Sequence, residues 1–283
     1  MNFSRSASFL IVAVVYLLAT VAGVVSYLLL APYLEVWLSL LIADAIATVV
    51  TFIFSIIFKN ASVYDPYWSV QPIIIVLAFL VTSPVSATGI LVFIAVLFWG
   101  VRLTANWAYT FHGLAYQDWR YTMLNQKTGA FYPIINFLGI HLFPTIVVYS
   151  CVLPAVYAVI NAPELTVGAV IFFIVCICAA SLQGVADIQM HKFRKAKTGG
   201  FIRIGLWKYA RHPNYLGEIL MWWGVALMAV CAMPSYWWLI AGATLNTLMF
   251  CFVSVPLAEG KLSKREGYAE YKKQTRIFLP IKK

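Results

Sequence analysis

Four polar or ionisable residues close one long apolar stretch: Gln183, Asp187, His191 and Arg194. Their spacings of four, four and three put them on one face if the segment is helical. An acid, an imidazole and a guanidinium in such a row can grip a charged ligand. Asp187 also lies too deep in apolar sequence to reach water by snorkelling, as a Lys or Arg would. The next segment, KAKTGGFIRIGLWKYARHPNYLGE over 195–218, is basic, aromatic and punctuated by Gly199, Gly200 and Gly205. Glycine-rich backbone combined with Arg203 and Arg211 is what a phosphate-bearing ligand needs. Pro213 is placed as a first-turn proline, so the spacing predicts a helix start whose N–H groups point at an anion. His212 and Tyr215 flank that start, and Arg211, Asn214 and Glu218 share one face at i, i+3 and i+7. A basic loop resting on anionic lipid would explain the charge, but not Asn214 and Glu218 entering an apolar helix together.

A second polar face runs through Trp99, Arg102, Asn106 and Tyr109, spaced three, four and three. An Arg at membrane depth needs a partner, and the candidates are Asp65 and Asp44. His141, alone on an apolar span, reads as a packed core residue. The aromatic, charged segment AYQDWRY (115–121) reads as a loop in which Asp118 and Arg120 could help close a site. The tail 259–280 reads as an amphipathic helix with an extended end, which either lies on lipid or folds back over the basic loop. GxGxxG, Walker, HExxH and GxSxG motifs are absent. The four histidines and five cysteines lack ligand spacing, so neither a metal site nor a disulfide framework is indicated.

The elements that must carry these residues follow from composition. Of 283 residues, 63% are hydrophobic and 11% are charged. Soluble domains run about 45–50% apolar and about 25% charged. A chain this short cannot hide that much apolar surface from water, which excludes a soluble enzyme, a disordered regulator and a fibrous protein. The expected fold is all-α: a polytopic membrane helix bundle with seven or eight transmembrane helices, a basic cytoplasmic cofactor-binding loop and a tail. Eight apolar stretches can be drawn at roughly 8–31, 35–58, 68–83, 87–111, 133–160, 166–190, 214–233 and 235–256. The third is short of the about 20 residues a span needs. The first runs past the length of a signal peptide's apolar region and reads as an uncleaved span.

With eight spans, all twenty Lys and Arg fall on one side, or in a helix near it for Arg102. The positive-inside rule places that side, and both termini, in the cytoplasm of a bacterial inner membrane or an endoplasmic reticulum. The net charge of +10 then points to membrane lipids or an anionic cofactor, not to nucleic acid. Residues 1–63 form N-terminal transmembrane helices, and 64–283 form the main membrane domain with 183–283 as its cofactor-binding region. No internal repeat is visible.

The run GLWKYARHPNYLGEILMWWG (205–224), the Asp187-to-Arg194 spacing and a tail with Tyr268-Ala-Glu-Tyr271 and Leu279-Pro280 resemble the C-terminal domain of steroid 5-alpha-reductases. The DPYWS (65–69), RLTANW (102–107) and DWRY (118–121) segments resemble their bacterial-type relatives of unknown function. Isoprenylcysteine carboxyl methyltransferases share the RHPxY core and use S-adenosylmethionine. The resemblance implies NADPH as cofactor. Asp187 and Arg194 would hold its nucleotide end, and Asn214 and Glu218 would lie nearer the nicotinamide. His191, Arg203, Arg211, His212 and Tyr215 belong to the same cofactor-binding set. The reductases' catalytic acid, Tyr and following Arg match Asp65, Trp99 and Arg102. An indole can donate a hydrogen bond but cannot deliver a proton as a phenol does, which shifts the donor role to Tyr64 or another Tyr. Phe201 stands where the reductases often place a Tyr.

The reading that follows is an NADPH-dependent reductase of an activated C=C bond in an apolar, steroid- or lipid-like substrate entering from the bilayer. A donor near Asp65 would stabilise the developing enolate oxygen. Two alternatives stay open: an S-adenosylmethionine-dependent methyltransferase acting on a lipid or prenylated thiol, and a non-enzymatic lipid transporter or scaffold. Substrate identity and oligomeric state are not legible.

Overall fold

Hydrocarbon offers the backbone no water, so a spanning segment must satisfy its own N–H and C=O groups. The chain does this with helices. A computed structural model describes residues 3–197 and 199–279; it is 81% helix and contains no strands among the described residues. The helices are α1 (Arg5–Leu30), α2 (Val36–Ile57), α3 (Tyr67–Thr82), α4 (Ala87–Thr110), α5 (Trp119–Thr128), α6 (Tyr132–Ile135), α7 (Phe143–Asn161), α8 (Val167–Lys195), α9 (Pro213–Ala232), α10 (Ile240–Met249), α11 (Val255–Leu262) and α12 (Tyr268–Gln274). Eight helical segments are long and apolar enough to cross a membrane, which makes the protein an integral multi-pass membrane protein. The short third stretch gains length from the turn Ala61–Tyr64, which runs into α3 to give 22 residues.

The chain divides into two units. The first runs to Ile75 and resumes at Leu103–Leu153; the second comprises Val76–Arg102 and the described chain from Pro154 onward. In the first, α1 lies along α2, and Gly23 brings the backbones close: a Cβ there would sit 3.4 Å from the Ala43 carbonyl oxygen. Tyr16 donates from its phenol to the Val63 carbonyl at 2.8 Å, fixing the Ala61–Tyr64 turn against α1. Asn60 begins that turn. Its Oδ1 accepts from the Ser62 N–H at 2.8 Å, and its Nδ2 donates to the Leu114 and Tyr116 carbonyls at 2.7 and 3.0 Å. A π-helical turn, Asn136–Leu142, precedes α7 and buries His141, whose Nδ1 lies 3.0 Å from the Asn136 carbonyl.

In the second unit α8 and α9 form the closest helix pair, and glycine is the reason. A Cβ at Gly217 would lie 2.7 Å from the Ala179 carbonyl oxygen and 2.5 Å from Gln183 Cγ; one at Gly224 would lie 2.5 Å from Cys176 Sγ. The two glycines are seven residues apart on one face of α9, the small-residue device by which membrane helices close on each other. Thr166 caps α8 by accepting from the Ala169 N–H at 3.1 Å.

Two expectations about loops are corrected. The 115–121 segment is only partly loop: Asp118 accepts from the Arg120 N–H at 2.8 Å and starts helix α5. The tail holds two short helices, not one, because Gly267 at φ +73° takes a left-handed conformation between α11 and α12. The end of the expected tail, Pro280, lies outside the described residues.

Candidate functional site

The polar faces of α4, α8 and α9 meet inside the second unit. Glu218, on α9, sits at the centre and receives three N–H donors: Trp222 Nε1 at 2.8 Å, Gln183 Nε2 at 2.8 Å and Trp99 Nε1 at 2.9 Å. All three partners can only donate through these atoms, which suits a carboxylate. The Trp99 and Trp222 rings meet edge to face with centroids 4.7 Å apart and shut the acid in. Gln183 passes the chain onward: its Oε1 accepts from Arg102, whose Nη1 donates to Asp187 Oδ2 at 2.8 Å. Gly184 leaves room for the arginine's stem, since a Cβ there would touch Arg102 Cδ at 3.4 Å. A line of hydrogen bonds therefore runs from two indoles through Glu218, Gln183 and Arg102 to Asp187. It gathers Trp99, Arg102, Asp187 and Glu218. Gln183 and Trp222 complete it; their signals were the i, i+4 spacings to Asp187 and from Glu218. The carboxylate partner of Arg102 is Asp187, not Asp44 or Asp65.

A second cluster sits at the start of α9. Arg211 is buried, and its guanidinium is bonded to the tail. Its Nε donates to Glu259 Oε1 at 2.7 Å, and its Nη1 donates to the Thr275 and Lys272 carbonyls, the latter at 3.4 Å. The other oxygen of Glu259 meets Lys272 Nζ at 2.8 Å, and His212 Nε2 lies 3.4 Å from Oε1. Backbone bonds reinforce the contact: the Arg211 and His212 N–H groups donate to the Arg276 and Ile277 carbonyls at 3.0 Å each. The tail is thereby held to the RHP segment, which settles its placement in favour of folding back over the basic loop. Glu259 was missed by sequence reasoning; its signal was an acid standing alone at the head of a basic tail.

The remaining residues of the cofactor-binding set lie around these two clusters. Tyr215 stacks flat on His212, with centroids 5.0 Å apart and an 8° interplanar angle. Asn214 Oδ1 is buried and has no hydrogen-bond donor among the described residues. Arg194 is exposed at the end of α8 and makes no ion pair among the described residues. Arg203 is also exposed, with its guanidinium carbon 4.2 Å above the Phe201 ring. Phe201 packs against Tyr268 and Tyr271 of α12, each at 5.1 Å, and Tyr271 donates to the Trp207 carbonyl. Burial pushes the Tyr268 phenol up to about 12, so it stays neutral at physiological pH. His191 is half-buried on the Asp187 face of α8.

Tyr64 and Asp65 belong to the first unit. The Tyr64 hydroxyl is 2.8 Å from Thr145 Oγ1, and the Tyr121 hydroxyl donates to Asp65 Oδ1 at 2.7 Å.

A stretch of 98 residues is 33% identical to 3-oxo-5-alpha-steroid 4-dehydrogenase 1 of Macaca fascicularis, covering 34% of each chain. The human protein of the same name is likewise 33% identical over 98 residues, 34% of this chain and 35% of its own. An uncharacterized protein of Schizosaccharomyces pombe is 26% identical over 211 residues, 62% of this chain and 60% of its own. The chain thus spans about a third of the length of the steroid dehydrogenases it matches. No solved structure matches it. A profile described as "Protein of unknown function (DUF1295)" matches residues 51–275. That range is most of the 283 residues, and the chain belongs to this family, which is steroid 5-alpha-reductase-like.

Proposed function

We propose that this protein is a membrane reductase that uses NADPH to saturate an activated C=C bond in an apolar substrate taken from the bilayer. The observation that carries the reading is the pairing of chemistries where α8 ends and α9 begins. Arg194 and Arg203 hold exposed guanidinium groups without an ion pair among the described residues, and Asn214 Oδ1 is a buried acceptor without a donor. Free guanidinium groups suit the phosphates, and an unpaired amide oxygen suits a carboxamide N–H. These residues fit NADPH, which would supply the hydride.

The protein's own residues bind and orient. Arg194 and Arg203 take the phosphate end. Asn214 fixes the carboxamide. Arg211 and His212 hold the tail against the site and give it a wall. Trp99, Arg102, Gln183 and Asp187 lock Glu218 in place, so they position and do not transfer protons. The basic side, with the 195–212 segment and the tail, faces the cytoplasm in this proposal.

The test is thermal unfolding of the detergent-purified chain with NADPH, NADH or S-adenosylmethionine. A ligand that binds the native state raises the apparent melting temperature. The expected result is stabilisation by NADPH above NADH. Stabilisation by S-adenosylmethionine alone would overturn it in favour of methyl transfer. Silence from all three would favour a transporter or scaffold.

A further inference from the structure

Helix α10, in the second unit, carries a buried donor that the cofactor reading does not use. Its inward face consists of Gly242, Ala243 and Asn246, followed by Phe250 in the next turn. Asn246 is the polar member of that face and is 3% exposed. It belongs to a segment, Pro234–Leu262, long and apolar enough to cross the membrane. Its Nδ2 is buried and meets no hydrogen-bond acceptor among the described residues. An amide N–H left unpaired at membrane depth is costly, and polar groups kept there mark a site more often than a packing position.

The ordinary role of such an asparagine is to join two helices. Its neighbour Thr247 already does that: Thr247 Oγ1 accepts from Trp223 Nε1 of α9 at 3.0 Å and donates to the Ala243 carbonyl at 2.8 Å. Asn246 keeps its N–H unspent beside it. The backbone changes here too. The Phe250 N–H is shared between the Asn246 and Thr247 carbonyls, and α10 passes into the π-helical turn Phe250–Ser254. Such turns occur mostly at functional sites.

The position of Asn246 says what meets it. The Phe250 ring packs on Tyr215, next to Asn214, with centroids 4.9 Å apart. Asn246 precedes Phe250 by four residues, so the two share a face, and four residues of helix rise about 6 Å. Since Thr247 bonds to Trp223, further along α9, α10 runs back against α9. Asn246 therefore stands one turn deeper in the membrane than the start of α9, on the side from which an apolar molecule arrives. A free N–H takes an acceptor. A hydroxyl would accept but bring a donor needing a partner of its own, whereas a carbonyl brings none. We infer that Asn246 binds the carbonyl oxygen of an apolar substrate. The inference rests on the reductase reading and deepens it. A carbonyl conjugated to the C=C bond activates it, and its oxygen gathers charge as the bond is saturated, so the donor that finds the substrate also favours its reaction.

The test uses the full chain in detergent, with and without NADP+, and two pairs of probes that share a skeleton: cholest-4-en-3-one with cholest-4-ene, and farnesal with β-farnesene. Thermal unfolding is followed as each is titrated. At least one carbonyl compound should bind about three- to tenfold more tightly than its hydrocarbon, the range for one hydrogen bond. Asn246→Leu and Asn246→Ala should each abolish that preference. Asn246→Leu should melt, without ligand, no lower than the parent, because it deletes an unpaired polar group at similar volume. Thr247→Val should melt lower, through loss of the Trp223 bond, and keep the preference. Equal binding within both pairs, or no binding, means that Nδ2 takes a trapped water only and overturns the inference. A preference that survives both Asn246 substitutions, or that Thr247→Val also abolishes, overturns it as well. NADPH titration of the parent tests the reductase reading by itself. NADPH bound without a carbonyl preference sinks only this inference; a carbonyl preference without NADPH sinks only that reading and leaves Asn246 a carbonyl site.

Discussion

Arg211 Nε lies 2.7 Å from Glu259 Oε1, and both side chains are nearly shut off from solvent at 4% and 10% exposure. An arginine in the middle of a basic, ligand-like motif is thereby committed to the chain's own tail. Its Nη1 donates to tail carbonyls. This pair decides how the charge of the 195–218 segment is divided: Arg211 binds protein, and Arg194 and Arg203 remain for a ligand.

The first prediction concerns that pair. Glu259→Ala leaves a buried guanidinium without its counter-ion, which costs on the order of 3–5 kcal/mol when one partner is removed. The tail should detach before the membrane helices melt, because this cluster and two backbone bonds tie it to the RHP segment. Limited trypsin digestion should therefore cut faster at Lys264, Arg265, Lys272, Lys273 and Arg276, read by mass spectrometry. An unchanged cleavage pattern would mean that Tyr268, Tyr271 and Phe201 hold the tail without the ion pair.

Cofactor affinity should separate the arginines. Arg194→Ala and Arg203→Ala should each weaken NADPH binding about tenfold, the loss of one charge-assisted contact, without moving the melting temperature of the free protein. Asn214→Leu should weaken NADPH and NADH alike and leave the free protein as stable as the parent, since its Oδ1 has no partner to lose among the described residues. Arg211→Ala should instead lower stability first. Calorimetric titration beside thermal unfolding measures both quantities. Loss of stability in Arg194→Ala would reassign that residue to the fold.

The α8–α9 contact gives a third. A methyl at Gly224 would press on Cys176 Sγ at 2.5 Å. Gly224→Ala should destabilise by about 1–3 kcal/mol, the cost of overpacking. Cys176→Ala removes the sulfur and should restore much of that loss in the double variant. A double-mutant cycle in detergent measures the coupling. Additive losses would place the strain on the Phe172 carbonyl, the next nearest atom at 3.3 Å.

Much of this was legible in the sequence, for physical reasons that particular residues illustrate. The eight spans follow from hydropathy because hydrocarbon enforces helix and apolarity together. The Gln183–Asp187 and Asn214–Glu218 faces were visible because helical spacing is local. The partner of Arg102 was not. It depends on which helix stands beside α4; there Gly184 makes room for the arginine's stem, and its message is an absence of side chain. The fate of Arg211 was hidden for a similar reason: its carboxylate stands 48 residues away along the chain. Helix α5 escaped notice because its residues are polar and exposed, and its cap is one aspartate in a loop-like stretch.

The last prediction tests the logic of Glu218. Its oxygens accept from three N–H groups and have nothing to donate to. Glu218→Gln barely changes shape but replaces one acceptor oxygen with an NH₂, which must then face at least one of those N–H groups. Two donors meeting in a dry site leave both unsatisfied, at about 1–3 kcal/mol each. Trp99→Phe removes only one donor and leaves two, so it should cost less, about 1 kcal/mol. The nominally gentler substitution should therefore be the more damaging one. Adding Gln183→Glu to Glu218→Gln supplies an acid that accepts from Arg102 and from the new amide. It should recover part of the loss, but not all, because the Trp99 and Trp222 indoles still compete for one amide oxygen. Thermal unfolding of the four proteins orders them as parent, Trp99→Phe, double variant and Glu218→Gln. If Glu218→Gln instead melts with the parent, the carboxylate is not what the three donors require.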